Sequence, residues 1–242
     1  MNLIETVKLS NRQKAIGVIL LFPWYLYFAP TIFNFLIQLY IIYISNKIPS
    51  DVLNIIYNII VGLATAIPIM IIFKDFIQEN WKIFKDNLLE NIIWVLTIGL
   101  LVSYGLSYVG EFIRQVLLDT STDASNQVLV ESLVQTNILL MGFQAVIIAP
   151  FVEEMLFRGV IFNSLRQKNK ILAHIISGFM FGLLHVYNYI LAGNMSEWIQ
   201  LIPYMFIGFS LSYVYEKKQT IFAPILLHAT KNLIAVLLLA LI

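Results

Sequence analysis

The sequence predicts an all-α protein, a polytopic bundle of about seven membrane helices, with eight allowed, and a cytoplasmic N-terminus. Of its 242 residues, 60% are hydrophobic and only 12% are charged, and the mean hydropathy is +0.83. An average soluble domain has about 45–50% apolar and about 25% charged residues. Too few charges remain to cover a soluble globule, and the apolar content is too high for a disordered chain. Long apolar runs and the placement of the basic residues agree with this fold class.

The apolar residues gather into seven long segments. A hydrocarbon core of about 30 Å needs roughly 20 helical residues to cross it. Because backbone hydrogen bonds in lipid must close within each segment, these runs are expected to be helices. The segments are 15–44, 52–73, 91–118, 133–165, 171–187, 198–215 and 221–242.

The first segment is longer than one crossing requires and contains Pro23 and Pro30. Proline removes a helical hydrogen bond, so this segment is expected to be kinked, tilted or broken, which is why eight helices are allowed. The run is too long for the apolar part of a cleavable signal peptide. No repeat or linker divides the chain, so residues 1–242 are predicted to form a single integral membrane domain.

Lys74–Glu90 is more polar than its neighbours and has an amphipathic pattern. It could lie at the membrane interface with its apolar side chains in the leaflet. Alternatively, it could be a solvated helix that extends the third segment. The apolar side chains are those of Phe76, Ile77, Trp81, Phe84, Leu88 and Leu89.

The basic residues orient the bundle. With the N-terminus in the cytoplasm, eleven cations fall in cytoplasmic segments, whereas the outer loops hold only Lys47 and Arg114. Such an excess is the positive-inside pattern, and it predicts a C-terminus on the outer side. The eleven are Lys8, Arg12, Lys14, Lys74, Lys82, Lys85, Arg166, Lys168, Lys170, Lys217 and Lys218.

Net charge and cysteine content exclude several classes of function. The formal net charge is +1, so the chain offers no basic field for nucleic acid. It has no cysteine, which excludes disulfides, thiolate metal sites and a cysteine nucleophile. The predicted partners are membrane lipids and a peptide or protein substrate, without nucleic acid, and the composition favours a bacterial cell membrane. The oligomeric state is left open.

Polar residues inside three of the segments are the candidates for function, because an ionisable group in lipid is costly to retain. Counted from the nearest cytoplasmic cation at about 1.5 Å per residue, Glu153, His185 and His228 lie roughly 20, 22 and 15 Å deep. Similar depth in three separate segments predicts one shared site. The three clusters are Glu153, Glu154 and Arg158 in the fourth segment, His185 in the fifth, and His228 and Asn232 in the seventh.

Spacing within the clusters suggests chemical roles. Glu154 and Arg158 are four residues apart, so Arg158 can neutralise that carboxylate and leave Glu153 as the candidate general base. Glu153, His185 and His228 could together hold a metal or a water molecule. Asn232 lies one turn beyond His228 and could donate a hydrogen bond to an oxyanion. Interhelical hydrogen bonding alone, or a proton relay in a transporter, uses similar residues.

The same residues resemble the CPBP family, the CAAX-protease and bacteriocin-processing (Abi-type) intramembrane proteases. The family pattern is E-E-x-x-x-R, then F-x-x-x-H, then H-x-x-x-N or D. This sequence has all three in order, and the resemblance covers roughly residues 145–235, the expected catalytic core. The matching positions are Glu153-Glu154…Arg158, Phe181…His185 and His228…Asn232.

This resemblance implies peptide-bond hydrolysis within the membrane. Glu153 and His185 would activate water, and His228 and Asn232 would hold a metal or water and stabilise the oxyanion. Glu154 and Arg158 would order the site. Family members are commonly labelled metalloproteases, so Zn²⁺ is one expectation for the cofactor, and a water mechanism without metal is the other.

The implied roles are processing of a bacteriocin or pheromone precursor, or self-immunity to a bacteriocin. A non-catalytic membrane immunity or scaffold protein is the alternative, and a proton-coupled transporter is a weaker one. The third histidine, His174, lies close to the cytoplasmic boundary and is expected to be interfacial or structural. Pro150 and Gly159 could bend or open the fourth helix, and Gly182 could allow close helix approach.

Overall fold

The computed structural model describes residues 7–44, 47–117 and 123–241, and every regular element in those ranges is helical. The all-α prediction is therefore confirmed for the described part of the chain. We number its nine helical segments in chain order. They are α1 Asn11–Tyr43, α2 Ser50–Ile72, α3 Lys74–Asp86, α4 Leu88–Leu117, α5 Ser125–Thr136, α6 138–165, α7 Lys170–Leu191, α8 Glu197–Lys218 and α9 Phe222–Leu239.

Each of the seven predicted segments is largely helical within the described residues, and five of the corresponding helices are long and apolar enough to cross a membrane. These five are α1, α2, α4, α7 and α9. The chain is thus a multi-pass membrane protein, while the number of crossings stays a prediction because α6 and α8 are not among the five.

The structure refines two details of the predicted segments. Of the three alternatives for the first segment, a break is excluded, because α1 runs without interruption from Asn11 to Tyr43. Wide π-helical turns at Gly17–Leu21 and Trp24–Phe28 flank Pro23, whose missing N–H disturbs the regular ladder. The fourth segment begins at residue 138 and not at 133, because Asn137 has an extended backbone and caps α6 by accepting from the Leu140 amide.

If successive membrane helices run in alternating directions, certain helix ends lie on the same side of the membrane. Hydrogen bonds connect these ends. At one end, which we call the α3 end, Gln13 Nε2 donates to the Ile72 carbonyl at 3.0 Å. At the opposite end, the α5 end, Ser125 N donates to Glu197 Oε1 at 3.0 Å. The α3 end is the cytoplasmic one in the predicted orientation. Further contacts join Lys218 to Glu90 at the α3 end and Gln135 to Leu239 at the α5 end.

Helix α3 excludes one of the two interpretations of Lys74–Glu90 and narrows the set of side chains that the other could place in the leaflet. It is a helix of its own, separated from α4 at Asn87, so it does not extend the third segment. Phe76 and Phe84 are buried within the protein, so they do not dip into the leaflet. Asn80 explains the packing, because its carbonyl and side-chain oxygens accept hydrogen bonds from Thr220 and Ile221 at the start of α9. Trp81 and Leu89 remain exposed.

Helix α6 lies at the centre of the bundle. Every residue from 152 to 160 is buried, so the helix is covered around its whole circumference. Its neighbours include α1, α2, α7, α8 and α9. A helix that carries two glutamates and an arginine therefore has protein, and not lipid, on all sides along this stretch, which is where polar groups in a membrane protein are tolerated.

Helices α7 and α8 pack closely through glycines, as expected for Gly182. A Cβ atom on Gly182 would lie 2.9 Å from the Leu201 carbonyl oxygen and 3.0 Å from the Met205 amide nitrogen. Because both are backbone atoms, they cannot move aside as a flexible side chain would. The crossing of α7 and α8 is therefore set by the absence of a side chain at this position.

Replacing Gly182 with Ala should lower the free energy of unfolding by about 1–3 kcal/mol, because the added methyl group overpacks the α7–α8 crossing. The matched control is Gly105→Ala on α4, where a Cβ would have nothing within 4 Å. There the substitution should leave stability unchanged or raise it by about 0.5–1 kcal/mol. Unfolding followed by circular dichroism in detergent measures both. Equal stability of the two variants would contradict the packing argument.

Candidate active site

The two adjacent glutamates lie between two wide stretches of α6. Glu153 and Glu154 belong to the α-helical turn Ala149–Glu154, and π-helical stretches at Gln144–Ile148 and Met155–Phe162 flank it. Pro150 cannot donate a backbone hydrogen bond, which fits the widened turn before it. The helix stays continuous here, so Pro150 and Gly159 widen it locally and do not open it.

Arg158 and Glu154 form a fully buried ion pair, as their i,i+4 spacing predicts. Arg158 Nη1 lies 3.0 Å from Glu154 Oε1, and neither side chain has any exposed surface. Arg158 Nη2 also donates to the Gly208 carbonyl of α8 at 2.8 Å, and the guanidinium lies 4.6 Å from the centre of the Phe181 ring. The charge of Glu154 is thus balanced inside the bundle, and Arg158 connects α6 to α7 and α8.

His228 lies between the two glutamates. Its Nδ1 is 3.0 Å from Glu154 Oε1, and its Nε2 is 3.9 Å from Glu153 Oε2. Because a carboxylate accepts, the Nδ1 atom carries the proton and donates a hydrogen bond to Glu154, which leaves Nε2 facing Glu153. Glu153 is 7% exposed, and its Oε2 has no hydrogen-bond partner among the described residues. A buried oxygen of this kind is available to a water molecule or a substrate.

His185 is fixed by its own helix. Its Nδ1 lies 2.9 Å from the Phe181 carbonyl oxygen, so this nitrogen is the donor and Nε2 is left free. The ring stacks on Tyr204 of α8 with centroids 4.5 Å apart. Within the described residues, the imidazole that approaches Glu153 to within 4 Å is that of His228. The structure therefore places His228, and not His185, beside the candidate base.

Asn232 lies one turn beyond His228 on α9. Its Nδ2 donates to the Ala145 carbonyl of α6 at 2.7 Å. Because the side-chain amide has two N–H groups, this bond holds it in place and leaves one donor available. That geometry is compatible with the oxyanion role that the resemblance implies, and the role itself stays a prediction.

The three clusters meet at one cleft of about 730 Å³. Four of the six predicted site residues line it, and they come from three separate helices: Glu153, His185, His228 and Asn232. Glu154 and Arg158 lie behind this lining, where they support His228. The sequence analysis predicted one shared site because these residues have similar depths in the membrane, and in the structure they line the same cleft.

The metal prediction can be compared with the donor set. Among the described residues, no three His, Cys, Asp or Glu side chains lie close enough to hold a metal ion. Glu153, His185 and His228 as arranged do not fit Zn²⁺, because His185 would have to come closer to the other two. Zinc binding stays a prediction, which elemental analysis of the purified protein tests directly.

Tyr25 is a site residue that sequence reasoning missed. Its hydroxyl donates to Glu153 Oε1 at 3.4 Å, although 128 residues separate the two in the chain. The signal available was a tyrosine between Pro23 and Pro30, where a disturbed helix can turn a polar side chain inward. The sequence alone does not indicate that Glu153, so far along the chain, is the hydrogen-bond partner of this tyrosine.

His174 lies away from the cleft. Its Nδ1 is 2.7 Å from Ser212 Oγ, and its ring packs against Phe162 at 4.7 Å. Both contacts join α7 to its neighbours near the α3 end. This placement agrees with the structural role expected for the third histidine.

Residues 135–234 match the family model described as type II CAAX prenyl endopeptidase Rce1-like. The matched range contains all three motifs and overlaps the catalytic core expected at 145–235. It supports the resemblance to the CPBP family that the motifs indicated.

Two curated bacterial proteins are similar to this chain. "Putative membrane peptidase YdiL" of Bacillus subtilis (strain 168) is 23% identical over 185 residues, which cover 76% of this chain and 71% of that protein. "UPF0177 protein YxdF" of Lactococcus lactis subsp. lactis (strain IL1403) is 33% identical over 99 residues, 41% of this chain. The latter match spans half of the Lactococcus protein. No solved structure matches the chain.

Proposed function

Because residues 135–234 of this multi-pass membrane protein match the type II CAAX prenyl endopeptidase model, we propose that it is an intramembrane endopeptidase with Glu153 as its general base. The observation that carries the proposal is the unpartnered Oε2 atom of Glu153, which faces His228 Nε2 across 3.9 Å within the cleft. That gap is too long for a direct hydrogen bond and can be bridged by a water molecule. Such a water would be the nucleophile.

The two histidines near the cleft, His228 and His185, each have one ring nitrogen that donates and one that can accept. His228 and His185 both use Nδ1 as a donor, to Glu154 and to Phe181 respectively. Both imidazoles therefore have an Nε2 lone pair that can accept from water. The water donates one hydrogen bond to Glu153 and the other to His228, and this orients its oxygen lone pair toward a substrate carbonyl.

The reaction follows from general acid–base chemistry. Glu153 takes a proton from the water as its oxygen bonds to the carbonyl carbon, and the carbonyl oxygen becomes an oxyanion. The free N–H of Asn232 donates to that oxyanion. Glu153 then returns the proton to the amide nitrogen, the C–N bond breaks, and a carboxyl and an amino terminus leave.

The proposed substrate is a membrane-associated peptide or protein. The cleft is lined by many apolar side chains as well as by polar ones, so it suits a peptide segment that is itself membrane-associated. Processing of a bacteriocin or pheromone precursor, or self-immunity to a bacteriocin, fits such a substrate, and we propose these as the biological roles.

Comparison of membrane peptides from cells that express the wild type, Glu153→Ala or His228→Ala tests the proposal. Mass spectrometry should find products that depend on the wild-type protein and are lost in both variants, while their insertion is unchanged. Activity retained in both variants would overturn the enzyme proposal and favour a non-catalytic immunity or scaffold protein. Flux that depends on a proton gradient, without cleavage products, would indicate a transporter.

Replacing Tyr25 with Phe should lower kcat about tenfold and leave KM nearly unchanged, because the hydroxyl holds Glu153 and does not itself react. Steady-state kinetics on the identified substrate measures this. Tyr43→Phe is the control, since Tyr43 lies on the same helix, is exposed and does not line the cleft. An equal loss in the two variants would show that the effect does not pass through Glu153.

A further inference from the structure

Lys231 is a cation inside the cleft to which the proposed reaction assigns no role. It lies on α9 between His228 and Asn232 in sequence, and its side chain lines the same cleft. Its Nζ donates to Ser107 Oγ of α4 at 2.8 Å and lies 5.0 Å from the centre of the Tyr104 ring. The ammonium is thus held by one hydroxyl and one aromatic face, both of them neutral.

The other cations inside the bundle have acidic partners. Arg158 pairs with Glu154, and Arg166 pairs with Glu216. Over the described ranges, no Asp or Glu oxygen comes within 4 Å of Lys231 Nζ. A half-buried cation in a membrane protein is costly without an anion. Lys231 therefore has the charge to attract an anionic group of whatever enters the cleft.

A second polar group in the cleft lacks a partner. Gln144 Oε1 is buried and has no hydrogen-bond partner in the part of the chain that the structure describes. Gln144 precedes Glu153 by nine residues on α6, which is about 13 Å toward the α5 end. Lys231 is displaced from His228 in the same direction along α9. The cleft thus continues past the proposed reaction centre with an unused acceptor and an unpaired cation.

The charge of the lining favours a carboxylate over a phosphate. Lys231 is the one Lys or Arg among the described residues that line this cleft. A phosphate group is ordinarily held by several cations or by a cradle of backbone N–H groups, whereas one ammonium matches the single charge of a carboxylate. The unpartnered atom of Gln144 in the described part of the chain is its carbonyl oxygen, an acceptor, which suits the backbone N–H of a peptide and not a second anion.

We propose that Lys231 is a binding subsite for a carboxylate of the peptide substrate, supplied by an acidic side chain or by the C-terminus. This inference rests on the proposed endopeptidase function. It adds that the carboxylate lies on the α5 side of the scissile bond, with the intervening backbone N–H groups near Gln144. The subsite gives the enzyme a preference for substrates with that charge.

Peptide binding to the full-length Glu153→Gln protein in phosphatidylcholine nanodiscs tests the subsite without requiring hydrolysis. Three fluorescent decapeptides of leucine and alanine serve as probes. One has a free C-terminal carboxylate, the second is its C-terminal amide, and the third is that amide with one internal glutamate. Fluorescence anisotropy gives the dissociation constant of each, and the Gln substitution at Glu153 prevents cleavage.

At least one of the two acidic peptides should bind about tenfold more tightly than the neutral amide, and the tighter one identifies the source of the carboxylate. Lys231→Met should bring the ratio of dissociation constants close to one, and Lys231→Glu should reverse it. Lys217→Met, which removes an exposed cation at the α3 end, should leave the ratio as it was.

Equal binding of all three peptides, or a ratio that survives Lys231→Met, would overturn the subsite. Acidic peptides that lose their advantage when phosphatidylglycerol replaces part of the phosphatidylcholine would assign Lys231 to a lipid phosphate and overturn it as well. A different result would overturn the proposed function and not the subsite. In that case the wild type produces no cleavage product, while the Glu153→Gln protein still binds the acidic peptides more tightly than the neutral one.

Discussion

Glu153→Gln should reduce peptide hydrolysis by about 10³-fold or more while the protein still folds and inserts. The amide has nearly the same shape as the carboxylate but cannot take a proton from water, and general-base catalysis typically contributes about 10²–10⁴-fold. Glu153 already lacks a partner for Oε2 among the described residues. Loss of its charge therefore leaves the surrounding hydrogen bonds largely intact, and the effect should fall on kcat.

The same substitution at a glutamate outside the cleft is the control. It removes a negative charge without removing the proposed base. Glu131 is exposed on α5 and does not line the cleft, so Glu131→Gln should retain wild-type kinetics. Both variants are assayed in nanodiscs on the substrate that mass spectrometry identifies, with thermal unfolding as the check on folding. Hydrolysis by Glu153→Gln within tenfold of the wild type would show that another group is the base.

The sequence was sufficient to predict the long apolar helices and four of the residues that line the cleft. Long apolar runs can satisfy their backbone only as helices in lipid, so composition and segment length determine the fold class. The depth of Glu153, His185 and His228 followed from a rise of about 1.5 Å per residue. The Glu154–Arg158 pair followed from i,i+4 spacing alone.

Contacts between helices could not be predicted in this way. When nearly every residue of a segment is apolar, periodicity does not indicate which face points inward. Tyr25 beside Glu153 and Phe76 in the core are examples, because each depends on how α1 and α3 rotate against their neighbours. The hydrogen bond from His228 to Glu154 likewise required the relative heights of α6 and α9, which a count of residues gives only to within a turn or two.

Arg158→Met should destabilise the protein by about 3–5 kcal/mol, which is the largest stability effect we expect from one substitution. Arg158 and Glu154 have no exposed surface, so removal of the cation leaves a carboxylate buried without its ion-pair partner. The same change removes the bond to the Gly208 carbonyl and the contact with the Phe181 ring. Unfolding in mixed micelles of lipid and SDS measures the loss.

Two further variants distinguish an unpaired buried charge from lost packing. The Arg158→Met/Glu154→Gln double variant removes both charges, so it should recover part of the stability that the single variant loses. Lys170→Met breaks an ion pair to Glu216 in which Lys170 is 69% exposed, and it should cost less than about 1 kcal/mol. If the double variant is no more stable than Arg158→Met, packing around the guanidinium is the cause. Recovery would mean that Arg158 acts chiefly as the ion-pair partner of Glu154 behind His228, where that side chain holds the imidazole in the orientation the reaction needs.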